Sequence, residues 1–188
     1  SVCKAMVPLA GYVHQARAAG EEGAGLTLAP GQGVCGIDAL ERLMDDRLGG
    51  GVLSAVDMSA WDGINCRDAP VDSVVCTIVD RSCASLRSLA LPRRHEVTDR
   101  TIAAAAAGCP CLVHLDVDWC TRLTDDSFRA IGEHCAGLAV LGATGVGLLT
   151  GVGVQCVARG CGAALKELRA HPGLPDSAFF SLGQHCSG

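Results

Sequence analysis

The chain is poor in aromatic side chains: two Trp, one Tyr and three Phe in 188 residues. A core must therefore be built from Leu, Val and Ala. Charge is also scarce, at 19%, and the balance is acidic, with 15 Lys and Arg against 20 Asp and Glu. A phosphate-binding surface needs a net basic face, so no nucleic-acid partner is expected. Disorder is excluded by the high aliphatic content and modest net charge of −5. No signal peptide is expected, because residues 2–13 carry Lys4 and Pro8 and lack a long apolar stretch. The first residue is Ser, so the chain is expected to begin inside a longer protein or after processing. The length allows one domain, or one domain with a tail, and a sizeable core.

What the chain has in quantity is Gly, 24 residues, and Cys, 12 residues. The cysteines keep time. Cys83, Cys109, Cys135 and Cys161 lie 26 residues apart, and Cys186 follows 25 residues later. Disulfide frameworks and zinc ribbons do not recur at one long period, whereas structural repeats do. Aligned on this period, apolar slots return at Leu86, Leu89, Leu91, Val97, Ile102 and Ala105, then at Leu112, Leu115, Val117, Leu123, Phe128 and Ile131. The next unit has Leu138, Leu141, Ala143, Leu149, Val154 and Val157; the last slips slightly, to Leu165, Leu168, Ala170, Leu174, Phe179 and Leu182. One unit is traceable upstream, at Leu53, Val56, Met58, Val71, Cys76 and Val79. All thirty slots are apolar, where a half-apolar chain gives about fifteen by chance.

Within a unit the period changes. L-x-x-L-x-L is a strand signature of leucine-rich repeats. Thr98-Asp99 and Thr124-Asp125 then read as helix N-caps, and the following apolar residues, three apart, share one helical face. A single unit cannot bury its own leucines, so the units must stack. The predicted fold is α/β, a leucine-rich-repeat solenoid over residues 52–188. It is expected to be a curved right-handed superhelix of about five repeats, with parallel strands on the concave face and helices on the convex face, continuing past residue 188. Residues 1–19 are expected to form an N-terminal helix, and residues 20–51 a Gly-rich joint with a degenerate or capping repeat.

The stretch Cys109 to Asp125, C-x-x-L-x-x-L-x-L-x-x-C-x-x-L-T-D, resembles the cysteine-containing leucine-rich repeats of F-box proteins. The second cysteine appears only as Cys120; Trp61, Arg94, Val146 and Gly173 take the matching positions. The opening SVCKAMVPLA is similar to the last helix of an F-box, with Met6 where Trp is usual, although a helix closing the solenoid would read the same way. The resemblance implies a non-catalytic substrate receptor of an SCF-type ubiquitin ligase. It also implies a Skp-type adaptor and a cullin as partners through the N-terminal region. A structural scaffold in a large intracellular assembly, such as the ciliary nexin–dynein regulatory complex, is the alternative. Either role implies a cytoplasmic or cytoskeletal location.

Three other signals compete. Gly31-x-Gly33-x-x-Gly36 fits a dinucleotide fingerprint. However, Pro30 ends the short preceding strand and no second βαβ unit follows, so a Gly joint without cofactor is expected. Residues 136–158 carry no charge and are long enough to span a bilayer. Their six glycines and repeat register argue against a membrane helix. Cys109, Cys111, His114 and Cys120 can be drawn as a zinc site, but Cys109 occupies a repeat slot, where a buried thiol acts as a small hydrophobe. No metal and no catalytic residue are expected.

Function then falls to the side chains that alternate with the strand leucines and face outward. The candidate protein-binding residues are Asp57, Ser88, Arg93, His114, Asp116, Asp118, Trp119, Glu167 and Arg169, with Asp116, Asp118 and Trp119 foremost.

Overall fold

The computed structural model describes residues 12–15, 24–27, 53–59, 71–82 and 84–186. Strands β1 (Tyr12–Gln15), β2 (Ala24–Thr27), β3 (Leu53–Asp57), β4 (Ser88–Ala90), β5 (His114–Asp116), β6 (Val140–Ala143) and β7 (Glu167–Ala170) form one sheet in sequence order. Helices α1 (Val71–Ser82), α2 (Asp99–Gly108), α3 (Asp125–His134), α4 (Gly151–Cys161) and α5 (Asp176–His185) alternate with the strands from β3 onward. Every pairing from β2 to β7 is parallel; β1 alone pairs antiparallel, with β2. Parallel strands repeat at about 4.8 Å while packed helices need about 8–10 Å. Stacking one strand and one helix per unit therefore curves the stack with the sheet inside. The fold is a leucine-rich-repeat solenoid.

The apolar slots form its core. In the Leu86, Leu112 and Leu138 units all six are buried, each large side chain worth about 1.5–3 kcal/mol relative to exposure. In the Leu165 unit Leu165 is buried, and Leu168, Leu174 and Leu182 are partly so. The expected slot at Cys76 is displaced. Val74, Val75, Ile78 and Val79 form the buried stripe of α1, and Cys76 lies at its margin. The segment Val74-Val75-Cys76-Thr77-Ile78-Val79 is apolar on more than one face, and the bulkier Val75 and Ile78 are the residues turned inward.

The expected helix over residues 1–19 is also corrected in part, since Tyr12–Gln15 is a strand. Tyr-Val-His-Gln carries an aromatic and a β-branched residue, which favour extended backbone, and Ala24–Thr27 supplies its partner. Residues 1–11, the Gly31, Gly33 and Gly36 cluster, Trp61 and Cys83 lie outside the described residues. The strand before that glycine cluster, β2, pairs with β3 in the same sheet as the repeats, not in a separate sheet. The uncharged stretch 136–158 is divided between β6 and α4. No helix among the described residues is long and apolar enough to cross a membrane.

Two polar columns run along the stack. In the first, Thr124 Oγ1 accepts from Asp126 N and Thr150 Oγ1 from Val152 N, each capping its own helix. The Asp that follows the Thr turns outward to the next unit. Asp99 accepts from Thr124 N and Thr124 Oγ1, both at 2.8 Å, and from Ser127 Oγ. Asp125 accepts from Thr150 N, Thr150 Oγ1 and Gly153 N, and Asp72 from Thr98 Oγ1 and Thr101 Oγ1. The Thr-Asp pair is thus a staple between units as well as a cap, a role that spacing alone did not disclose. Burial opposes the charge on Asp99, but the hydrogen bonds from Ser127 and Thr124 outweigh it and hold the carboxyl below its ordinary value. At the last junction Gly151 replaces the Asp and Pro175 the Thr, and α5 starts without a side-chain cap.

The second column is the cysteines. Cys135 Sγ lies 3.9 Å from Ala106 O, and Cys161 Sγ lies 3.1 Å from Cys135 O, so the thiols point at carbonyls ending the previous helix. Burial pushes Cys135 up to about 12 and Cys161 up to about 11.

Candidate functional site

The sheet register arranges the outward side chains in two rows. One runs Ala55, Ser88, His114, Val140 and Glu167; the other runs Asp57, Ala90, Asp116, Gly142 and Arg169. In the first row Ser88 Oγ and His114 Nδ1 are 3.0 Å apart. In the second, Asp116 and Arg169 stand on either side of Gly142, two strand spacings apart, or about 10 Å of sheet. Only a long side chain crosses that gap, and only a flat residue lets it lie down. Arg169 does so: Nη2 donates to Asp116 Oδ2 and Nη1 to Asp118 Oδ2, both at 3.2 Å. A Cβ on Gly142 would stand 2.8 Å from Nη2 and 3.1 Å from Oδ1 of each aspartate. Gly142 is therefore the floor of a guanidinium–dicarboxylate cluster, to which Glu167 adds a 3.4 Å contact with Arg169 Nε.

The remaining carboxylate oxygens are also engaged. Asp116 Oδ1 accepts from Asp118 N, and Asp118 Oδ1 accepts from Thr144 N at 2.6 Å. Asp116 and Asp118 are consequently 17% and 16% exposed in their side chains, while Arg169 remains 41% exposed. The two foremost acidic candidates are thus brought together but serve first as internal acceptors. Asp57 stands at the other end of the row, its Oδ1 accepting from Ser59 N.

Trp119 and Arg93 lie off the strands, in the turns that follow β5 and β4. Both have positive φ, 64° and 62°, and the equivalent position of the next unit is Gly145 at 73°. Hydrogen bonds from Arg93 N to Asp118 O and from Trp119 N to Thr144 O extend the parallel ladder into these turns. The indole rests against Gly145, where an added Cβ would lie 2.6 Å from Cδ2 and Cε3. Trp119 nevertheless stays 51% exposed. One position after the positive-φ residue, two chemistries do one job. Cys120 Sγ donates to Leu91 O, and Arg94 Nη2 donates to Met58 O, each reaching the third strand slot of the previous unit. Burial pushes Cys120 up to about 11. Among the described residues no three His, Cys, Asp or Glu side chains are placed to hold a metal.

No family model matches the chain. Over 50 residues, 27% of this chain, it is 40% identical to F-box/LRR-repeat protein 4 of Bos taurus, and that stretch spans 8% of the relative's length. Its fold is similar to that in the crystal structure of the Rad7 and Elc1 complex in yeast, with a TM-score of 0.49 and 17% identity over 65% of this chain and 32% of that one. The sequence likeness is to a repeat protein, and the repeats are what this chain displays.

Proposed function

We propose that the chain is a protein-interaction module, the substrate-recognition part of an F-box-type receptor in an SCF ubiquitin ligase. The observation that carries the interaction reading is the concave sheet, on which outward polar side chains are held in register by their own hydrogen bonds. Ordered side chains lose less freedom when a partner docks, so such a surface binds at lower entropic cost. The short stretch of identity to an F-box/LRR-repeat protein and the Val2 to Leu9 segment support the ligase assignment. Asp57, Ser88, His114, Asp116, Asp118, Trp119, Glu167 and Arg169 form the surface presented to the substrate, and Arg93 extends it.

The test is purification of the full-length protein from its own cells, followed by immunoblotting for a Skp-type adaptor and a cullin. Stoichiometric recovery of both is expected. Their absence, with salt-resistant retention in an axonemal fraction instead, would replace the ligase role by a scaffold role.

A further inference from the structure

We propose that the turn edge beside the concave sheet, formed by Arg93, Trp119 and Arg122, docks an acidic segment of a partner protein. The inference rests on the protein-interaction reading and adds to it where contact is made and what chemistry is read. In the concave row Asp116, Asp118 and Arg169 satisfy one another. The turns are different. Trp119, Arg93 and Arg122 are exposed, and neither arginine has an ion pair with a described residue.

The backbone singles out the same place. Gly is the residue suited to positive φ in a turn, and the Leu138 unit uses it, at Gly145. The two preceding units put Arg and Trp there, residues that gain no backbone advantage from the conformation. Those types dominate binding hot spots. The turns are also braced against each other, since His95 Nδ1 lies 3.2 Å from Thr121 Oγ1 and Arg93 N donates to Asp118 O. Trp119 is backed by Gly145, so one face of the ring is seated and the rest is available.

Hydrogen-bonding capacity selects the ligand. Arg guanidinium and Trp indole are donors without acceptors, so these three side chains present donors only. Carboxylates are the complementary group, and Arg binds them in a fork. An apolar side chain between acidic residues would lie on the exposed indole. The neighbouring Asp116 and Asp118 are engaged internally, since each of their four oxygens already accepts a hydrogen bond and Arg169 offsets part of their charge.

The probe is a pair of fluorescein-labelled twelve-residue peptides of alternating Glu and Leu, or alternating Lys and Leu, titrated by anisotropy. The acidic peptide is expected to bind at least tenfold tighter. Arg93→Glu with Arg122→Glu is expected to weaken it tenfold or more and to flatten its salt dependence. Trp119→Ala is expected to weaken it with the salt dependence intact. Arg129→Ala, on the exposed side of helix α3, serves as the folded control and is expected to bind like wild type. No binding of the acidic peptide, preference for the basic one, or unchanged affinity in the double arginine variant would each overturn the proposal. Adaptor recovery is measured separately, so either result can fail without the other.

Discussion

Asp99→Ala should be among the most damaging polar substitutions in the chain, although Asp99 is not one of the apolar core slots. It deletes an acceptor of three hydrogen bonds, from Thr124 N, Thr124 Oγ1 and Ser127 Oγ. Hydrogen bonds to a charged group contribute roughly 1.5–3 kcal/mol each, and a stranded buried hydroxyl costs about 1–3 kcal/mol. Ser127 is 0% exposed, so it has no water to turn to; Thr124 is half-buried and recovers part of its loss. Together these give a cost of about 3–5 kcal/mol, a large share of the roughly 5–15 kcal/mol by which domains are stable. The assay is urea unfolding followed by circular dichroism. Asp126→Ala, one helix turn's acid with only an exposed partner in Arg129, is the comparison and should cost under about 1 kcal/mol. Asp99→Ala with Ser127→Ala should cost less than the sum of the single changes, because the second removes the hydroxyl stranded by the first. Equal costs for Asp99→Ala and Asp126→Ala would refute the staple. The pH dependence has a fixed sign. The folded carboxyl of Asp99 titrates below its unfolded value, which is about 3.9. The unfolded chain therefore binds more protons between the two values, and stability rises with pH there. The contribution is complete above about pH 4 and is lost as the pH falls through the folded value, a loss that Asp99→Asn should abolish.

Helices α3 and α4 meet at Gly132 and Gly160, where a Cβ on either would run into backbone of the other helix. Ala there should cost more than about 2 kcal/mol in thermal unfolding despite its better helix propensity; Ala at Gly137, with nothing within 4 Å, should not. At pH 7.5 iodoacetamide should label the exposed Cys111 quickly, and Cys135 and Cys161 only as fast as the protein unfolds, as read by mass spectrometry. Their buried thiols titrate far above that pH; prompt labelling of all three would contradict the packed column. Gly142→Val should evict the Arg169 guanidinium from Asp116 and Asp118 while lowering stability by only about 1 kcal/mol, visible as loss of salt sensitivity in unfolding.

The repeat was legible because it is imposed by burial. Leu86, Leu112 and Leu138 recur at one interval since each must fill the same place between a strand and a helix, and no polar residue survives there. Cys76 was misplaced because the run Val74 to Val79 is apolar on more than one helical face, and the larger Val75 and Ile78 fill the core in its stead. The outward rows were legible too, since a strand alternates faces, and Asp116, Gly142 and Arg169 follow from the slots beside them. Their interaction was not. Nothing in Gly142 announces that a side chain two strands away lies across it; that depends on the reach of Arg169 and on both aspartates being pinned from below by Asp118 N and Thr144 N.

The repeat explains some of the turn residues and leaves others over. A solenoid needs its leucines buried, its helix starts capped and its strands paired, and these demands account for Thr124, Thr150, Asp99, Asp125 and the cysteine column; Thr98, expected as a cap, makes no side-chain capping bond and donates to Asp72 instead. They do not account for Arg93 and Trp119 at positive φ. A non-Gly residue there costs about 1–2 kcal/mol, and Gly145 shows that the fold itself accepts the relaxed choice. Arg93→Gly should therefore raise stability, by about 1 kcal/mol in urea unfolding, while reducing acidic-peptide binding. Trp119→Gly is the weaker test of strain, since it also removes packing on Gly145. A chain selected for stability alone would carry glycine in all three turns. The two turns that depart from it are where stability is given up for a surface, and a loss of stability in Arg93→Gly would show that the arginine is structural after all.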